Sequence, residues 1–160
     1  MRRGSQREPA EGVTVVAASP DTPQRERWQW QASVVEGSDE VPGLPTGAQV
    51  VTMPLGRSVY GVDPAVLHVA TDPDLAVADV ARIDLDEPAT LTKRVDEVAV
   101  LLVDRGTVVV EGRHLLGVGD VLVLEGDDPV QISVEERQCP AGVAMARLTP
   151  AAGRTLGWVP

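Results

Sequence analysis

The segment from Val95 to Val134 constrains the fold of this chain more than any other part of the sequence. It contains short aliphatic, largely β-branched runs: VAVLLV at 98–103, TVVV at 107–110 and VLVL at 121–124. Such runs are shorter than ordinary helices and are typical of buried strands. Residues 130–134 instead alternate apolar and polar side chains, which predicts a strand with one buried face. The segment therefore predicts a β meander.

Two turns divide this meander where its residues favour bends. The tripeptide Asp104-Arg105-Gly106 lies between the runs 98–103 and 107–110, and its glycine readily takes the positive φ of a tight reversal. It therefore predicts a hairpin between two strands. Residues 125–129, EGDDP, tolerate or prefer bend geometry and predict a second turn.

The remainder of the chain is also predicted to form strands separated by polar loops. Residues 72–85 fit two structures: Asp72-Pro73 suits the start of a short helix, whereas the mostly alternating apolar residues up to Leu85 favour a strand. We therefore expect an all-β fold, a single cupin-like barrel of the jelly-roll type with little or no helix. The other predicted strands are 13–18, 28–35, 48–53, 57–62, 65–70 and 143–148, with loops at 36–47 and 135–142.

Length and composition indicate one globular domain. The 160 residues are enough for a single core, and 43% of them are hydrophobic although phenylalanine is absent. We expect a flexible N-terminal tail over 1–12, because this segment is charged and shows no periodicity. The barrel domain is expected over 13–148, followed by a C-terminal tail over 149–160.

Charge and cysteine content exclude several classes of protein. The formal net charge is −10 and the basic residues are scattered, so no nucleic-acid partner is expected. No stretch approaches the roughly 20 apolar residues that cross a bilayer, so no membrane partner is expected. The single cysteine, Cys139, cannot form an intramolecular disulfide and suits a cytoplasmic location. Arg2-Arg3 is not followed by the apolar segment of an export signal.

Three residues are candidates for ligand contacts: Trp30, His68 and Arg94. Trp28 and Trp30 are predicted to share one face of strand 28–35, where they either pack in the core or form a platform for a ligand. Core packing is the more common use of such a pair.

Metal and catalytic motifs are missing from the sequence. His68 and His114 are the only histidines, and they fall on separate predicted strands without metal-ligand spacing. We therefore expect no metal and no other cofactor. Cys139 has no histidine close in sequence, and no nucleophile or phosphate-loop motif is present, which favours a non-enzymatic role.

The meander resembles the C-terminal half of a cupin barrel. The matching residues are Gly106, Val108, Val110, Gly112, Leu116, Gly119-Asp120, Val121-Leu122, Leu124 and Pro129-Val130. Cupins usually hold a metal through an HxH pair, a glutamate and a further histidine after the proline. This chain has Leu91-Thr92-Lys93-Arg94 and Val130 at those places, so the resemblance implies a metal-free member.

A more specific resemblance is to the HutD/Ves family of bacterial cupin-type proteins, named after histidine utilisation and stress response. It rests on the motifs Trp30-Gln31-Ala32-Ser33, Pro42-Gly43-Leu44-Pro45, Leu55-Gly56, Lys93-Arg94 and Gly112–Asp120. The family's N-terminal Gly-rich segment has no counterpart here.

Three functions fit the sequence. The first is a metal-free cupin-like barrel that binds a small molecule in its mouth and acts as a sensor or regulator. The second is a structural or interaction protein that docks on itself or on a larger assembly; edge strands also suit a homodimer. The third is a cupin-type isomerase or epimerase, which would need a titratable pair converging in the barrel.

Overall fold

Two antiparallel sheets form the described part of the molecule. The computed structural model describes residues 1–4, 6–19, 28–36, 41–55 and 64–158, and these contain no helix. The all-β prediction is confirmed. The strands are β1 (Arg2–Arg3), β2 (Arg7–Ala10), β3 (Val13–Ala18), β4 (Trp30–Glu36), β5 (Gln49–Pro54), β6 (Ala65–Thr71), β7 (Ala76–Leu85), β8 (Ala89–Thr92), β9 (Val98–Val110), β10 (His114–Gly117), β11 (Val121–Leu124) and β12 (Gln131–Pro150).

Apart from β1, the two sheets divide the chain in sequence order. Sheet B has the order β2-β3-β4-β6-β5 and holds the strands from β2 to β6. Sheet A has the order β1-β11-β9-β12-β7, with β10 beside β9 and β8 beside β12. The ambiguous segment 72–85 is a strand from Ala76 onwards, as the alternation favoured. None of the described residues forms a helix with the length and apolarity needed to span a membrane.

The central strands of sheet A are apolar throughout because both of their faces are buried. In β9, Val98, Val100 and Leu102 pack into a core between the two sheets, whereas Ala99 and Leu101 pack into a second core on the opposite face. Strands β11 and β12 divide their side chains between the same two cores. When both faces of a strand are buried, apolar side chains are favoured at every position and not only at every second one. This explains the continuous apolar run at 98–103.

Sheet A bends back on itself to enclose the second core. Both halves of β9 contribute to this core, with Leu101 from the first half and Val108 from the second. The two halves of β12 contribute in the same way, with Ile132 and Met145. The second core is therefore covered by the outer halves of the same long strands together with β8 and β10.

The hairpin predicted at Asp104-Arg105-Gly106 is wrong. Residues 98–110 form the single strand β9, whose first half pairs with β11 and whose second half pairs with β10. Gly106 does have a positive φ of 68°, but it bends the strand instead of reversing it. Both halves share the partner β12, which adapts to the bend through register shifts between Glu136 and Val143.

The loop predicted over residues 135–142 is also wrong. These residues continue the pairing with β9, so the predicted strand 143–148 is the second half of β12 (Gln131–Pro150). The Cys139-Pro140 peptide bond within this strand is cis. The pattern of Pro and Gly at 140–142 indicated a loop, but it marks the irregular part of a strand.

Replacing Gly106 tests how closely the bent strands approach each other. A Cβ atom at this position would lie 2.6 Å from the Pro140 carbonyl oxygen and closer still to that of Gln138. We expect Gly106→Ala to reduce the free energy of unfolding by about 2 kcal/mol, from the positive φ and the contact with backbone. Gly112→Ala is the control, because Gly112 has a φ of 63° but open space around its Cα. In denaturant titrations, equal losses for the two variants would contradict the close approach.

Both ends of the chain are paired or packed against the sheets. The segment 1–12, predicted as a tail, contains β1, which pairs with β11, and β2, which pairs with β3. In the C-terminal segment 149–160, Trp158 is 7% exposed and packs into the core between the sheets. The predicted strand at 57–62 lies outside the described residues.

Candidate functional site

Trp30, the first of the sequence candidates, lies in the core between the two sheets. Its side chain is fully buried, and its Nε1 donates a hydrogen bond of 2.9 Å to the Gly157 carbonyl oxygen. Its neighbour Gln29 donates to the Thr155 carbonyl and accepts from the Gly157 amide. Trp30 therefore holds the C-terminal segment against sheet B.

His68 and Arg94 lie apart from Trp30 and from each other. His68 is 7% exposed and stands on β6 directly opposite Ser33, on the face of sheet B away from the core that contains Trp30. The Arg94 side chain is 75% exposed, and its Nε atom lies 3.9 Å from Oε1 of Glu97. Lys93, its partner in the basic pair, is buried, and its Nζ donates to the carbonyls of Arg94 and Gly126. The structure does not bring the three candidates together.

The histidines and the cysteine do not assemble a reactive site in the described ranges. His114 lies on β10 of sheet A, where burial, followed by the charge of Arg113, lowers its pKa. The described residues contain no group of three His, Cys, Asp or Glu side chains that could hold a metal ion. The exposed Cys139 thiol donates to Glu136, and this hydrogen bond raises its pKa, so the reactive thiolate is disfavoured.

Two salt bridges lie where the C-terminal end of β7 meets the bent middle parts of β9 and β12. The Asp104 carboxylate is fully buried and accepts from Arg82, with the Nε atom at 3.0 Å. Beside it, Arg105 pairs with Asp84 in a more exposed position. Gly142 lies between them on β12, and a Cβ there would be 2.7 Å from Asp104 Oδ1. The charges are matched within the pairs, which indicates a structural role.

A cavity lies on the outer face of sheet B, under the loop formed by residues 41–48. Its volume is about 460 Å³, within the range typical of ligand pockets. The space between the two sheets is filled by core side chains, so the cavity lies outside this core. It is lined by Pro9, Val15, Ala18, Ser19, Trp28, Gln31, Pro42, Gly43, Leu44, Pro45 and Thr46.

Among the described residues, the polar side chains that line this cavity are uncharged. The Ser19 hydroxyl oxygen accepts hydrogen bonds from the backbone N–H groups of Gln29 and Trp30, so its own hydrogen remains available to a further acceptor. Gln31 donates through Nε2 to the Ser33 hydroxyl, which fixes its amide on the floor of the cavity. The other described lining side chains are apolar except for Thr46, and the half-buried indole of Trp28 is the largest of them.

A smaller cavity adjoins the first and introduces negative charge. Its volume is about 250 Å³, and it shares Trp28, Pro45 and Thr46 with its neighbour. Asp72 and Asp74 line its other side, and Asp72 Oδ1 accepts a hydrogen bond of 3.0 Å from the Asp74 amide. Trp28 thus lies between two cavities whose described side chains are uncharged in the first and include two carboxylates in the second.

Comparison with solved structures finds the same fold in two Pseudomonas proteins. A conserved protein of unknown function from Pseudomonas aeruginosa PAO1, PA5104, matches with a TM-score of 0.66 and 14% identity, over 92% of this chain and 95% of that one. HutD from Pseudomonas fluorescens SBW25 matches with a TM-score of 0.59 and 15% identity, over 93% and 95% of the two chains. No family model and no curated protein matches the sequence.

This chain has the fold of HutD. The match covers nearly the whole length of each protein, so it includes both sheets. The fold resemblance inferred from the sequence is therefore confirmed, although the identity is too low to carry residue roles from HutD to this chain.

Sequence reasoning missed Trp28 as the cavity residue of this HutD-like fold. Trp28 and Trp30 were expected on one strand face, but β4 begins only at Trp30. Residues 28 and 29 precede β4 and do not continue its alternation. Trp28 therefore lies beside the loop 41–48, whereas Trp30 enters the core. The signal available was the Pro- and Gly-rich loop at 41–47, whose length indicated that it packs on something.

Proposed function

We propose that the chain binds a small polar molecule in the cavity beside Trp28 and acts as a sensor or regulator. The observation that carries the proposal is the cavity between the loop 41–48 and sheet B, with an indole and uncharged hydrogen-bonding groups among the described residues of its lining. Small-molecule sites are usually concave and contain a few fixed polar groups that orient the ligand.

The lining supports a ring-bearing ligand without negative charge. The Trp28 indole offers a flat surface for a ring, and the side chains of Ser19, Gln31 and Thr46 offer hydrogen bonds. Asp72 and Asp74 in the adjoining cavity repel anions and attract a cationic or hydroxyl-bearing substituent. The ligand class is therefore a neutral or cationic ring compound, such as a sugar or an aromatic amine.

A binding role fits this lining better than catalysis. Isomerases that work by acid–base chemistry need titratable side chains near the reacting atoms. The larger cavity is lined by no carboxylate, imidazole, thiol or amine side chain among the described residues. Binding by fixed uncharged groups suits recognition of a molecule that is released unchanged.

A thermal-shift screen with matched Trp28 variants tests this proposal. The panel contains neutral sugars, aromatic amines and small carboxylates. A ligand at about 100 times its dissociation constant adds roughly 2.7 kcal/mol to the free energy of unfolding, which raises Tm by several degrees. We expect hits among the sugars or amines and none among the carboxylates.

The variants Trp28→Leu and Trp28→Phe test whether a compound that raises Tm binds in this cavity. Trp28→Leu removes the aromatic surface and should abolish the shift, whereas Trp28→Phe keeps a ring and should retain most of it. A hit that survives Trp28→Leu unchanged would place the ligand elsewhere. A flat panel with the wild-type protein would contradict the proposed ligand class.

A further inference from the structure

The strand β5 is an exposed edge of sheet B. It pairs with β6 on one side, and no described strand pairs with its other side, although β7 lies nearby. Its first four residues are exposed on both faces, and two of them are valines, Val50 at 42% and Val51 at 37%. Exposed apolar residues on an edge strand are the usual template for pairing with another strand.

The segment around β5 is also the longest uncharged part of the sequence. No Asp, Glu, Lys or Arg occurs between residues 41 and 55, whereas the chain as a whole carries a formal charge of −10. The loop and edge strand therefore form a neutral strip on an otherwise acidic protein.

The outer strands β1, β2 and β7 carry features that prevent association, whereas β8 and β10 are limited by their length of four residues each. β1 consists of two arginines, and β2 contains Glu8 and Pro9. β7 carries the charges of Asp79, Arg82 and Asp84. Charges, proline and short length are the devices by which natural sheets protect their edges. Within β5 only the terminal Pro54 belongs to this group, so most of the strand is unprotected.

We propose that two copies of this chain associate through β5, with the two strands antiparallel across a two-fold axis. Antiparallel pairing of one strand with its own copy is self-complementary, so a single surface suffices for both partners. Two copies of charge −10 repel each other wherever acidic surfaces meet, which confines a stable contact to a neutral strip. A basic partner protein, in contrast, would be attracted to an acidic surface.

Sedimentation equilibrium of the wild-type protein over a wide concentration range tests this interface. We expect a monomer–dimer equilibrium, with a dimer of twice the chain mass of 16.9 kDa. We also expect added salt to tighten the dimer, because salt screens the repulsion between the acidic chains. A monomer at every concentration would overturn the proposal, as would a dimer that salt dissociates.

Two substitutions locate the contact, and a third is the control. Val50→Lys and Val51→Lys place like charges against each other across the two-fold axis. We expect each substitution to raise the dissociation constant of the dimer at least tenfold. Both sites are more than a third exposed, so a lysine there remains hydrated in the monomer. Val118→Lys adds the same charge at a 48% exposed valine in the turn between β10 and β11 and should leave the dimer intact. Dimers that persist in both β5 variants, or that dissociate equally in Val118→Lys, would place the interface elsewhere.

Discussion

Trp30→Ala is expected to reduce the free energy of unfolding by about 3–5 kcal/mol, the usual cost of truncating a large buried aromatic side chain. Trp30 is fully buried between the sheets, so its removal opens a cavity that the surrounding β-branched side chains fill poorly. The variant also loses the hydrogen bond to Gly157, which leaves that carbonyl unpaired and loosens the segment that carries Trp158. Because whole domains are stable by only about 5–15 kcal/mol, this is a large fraction of the total.

Trp28→Ala is the matched control, since it removes the same side chain two residues away. Trp28 is half-buried beside the cavity and leaves no enclosed void when it is removed. We expect a loss of about 1 kcal/mol for this variant. Guanidinium titration followed by circular dichroism measures both, and a loss for Trp28→Ala as large as that for Trp30→Ala would show that Trp28 also belongs to the core.

The two tryptophans show where sequence reasoning about this fold succeeds and where it ends. The alternation of Trp30, Ala32 and Val34 predicts which face of β4 lies in the core between the sheets, although Ser33 and Val35 on its other face are buried as well. The point at which the strand begins depends on pairing with β3 and β6, partners distant in sequence. The pattern thus predicts a buried tryptophan but not that its neighbour lies outside the strand.

The bend in β9 was hidden from the sequence for a related reason. Asp104-Arg105-Gly106 has the composition of a hairpin turn, and local preference alone favours a reversal there. Whether a strand reverses or bends is decided by its partners, and β12 is long enough to pair with both halves of β9. Sequence reasoning divided the runs 98–103 and 107–110 into two strands, whereas the structure joins them in one bent strand.

For the candidate site, too, the sequence predicts local character but not which residues meet in the fold. The sequence gives the apolar and Pro-rich character of the loop at 41–47, but the cavity arises because this loop folds over the outer face of sheet B. His68 and Arg94 were chosen for their chemistry, and chemistry alone does not place side chains on the same surface. Sequence reasoning treated Trp28 together with Trp30, as a core pair or as a ligand platform, and did not separate the two residues.

The buried ion pair of Asp104 and Arg82 carries the second large effect. The Asp104 side chain is fully buried, and its Oδ1 atom has no hydrogen-bond partner among the described residues. Its charge is therefore stabilised mainly by Arg82, whose side chain is 33% exposed. Removing one member of a buried pair costs more than the pair contributes, because the other charge is left without compensation.

We expect Asp104→Ala to reduce the free energy of unfolding by about 3 kcal/mol, at the lower end of the range for buried pairs. The reduction falls at that end because the partly exposed Arg82 guanidinium regains some hydration when its partner is removed. Asp84→Ala is the control on the adjacent pair, where the two side chains are 60% and 36% exposed. Salt bridges of that exposure contribute about 0–1 kcal/mol, so the control should change the free energy of unfolding little.

A double-mutant cycle with Arg82→Ala separates the ion pair from the loss of packing. If the carboxylate acts through Arg82, the loss for Asp104→Ala should fall markedly in the Arg82→Ala background, since no unpaired charge remains there. Additive losses in the two backgrounds would contradict this interpretation and assign the effect to packing around β9 and β12. Since Gly142 separates the two ion pairs, Gly142→Ala should reproduce part of the loss by displacing Asp104 without removing a charge.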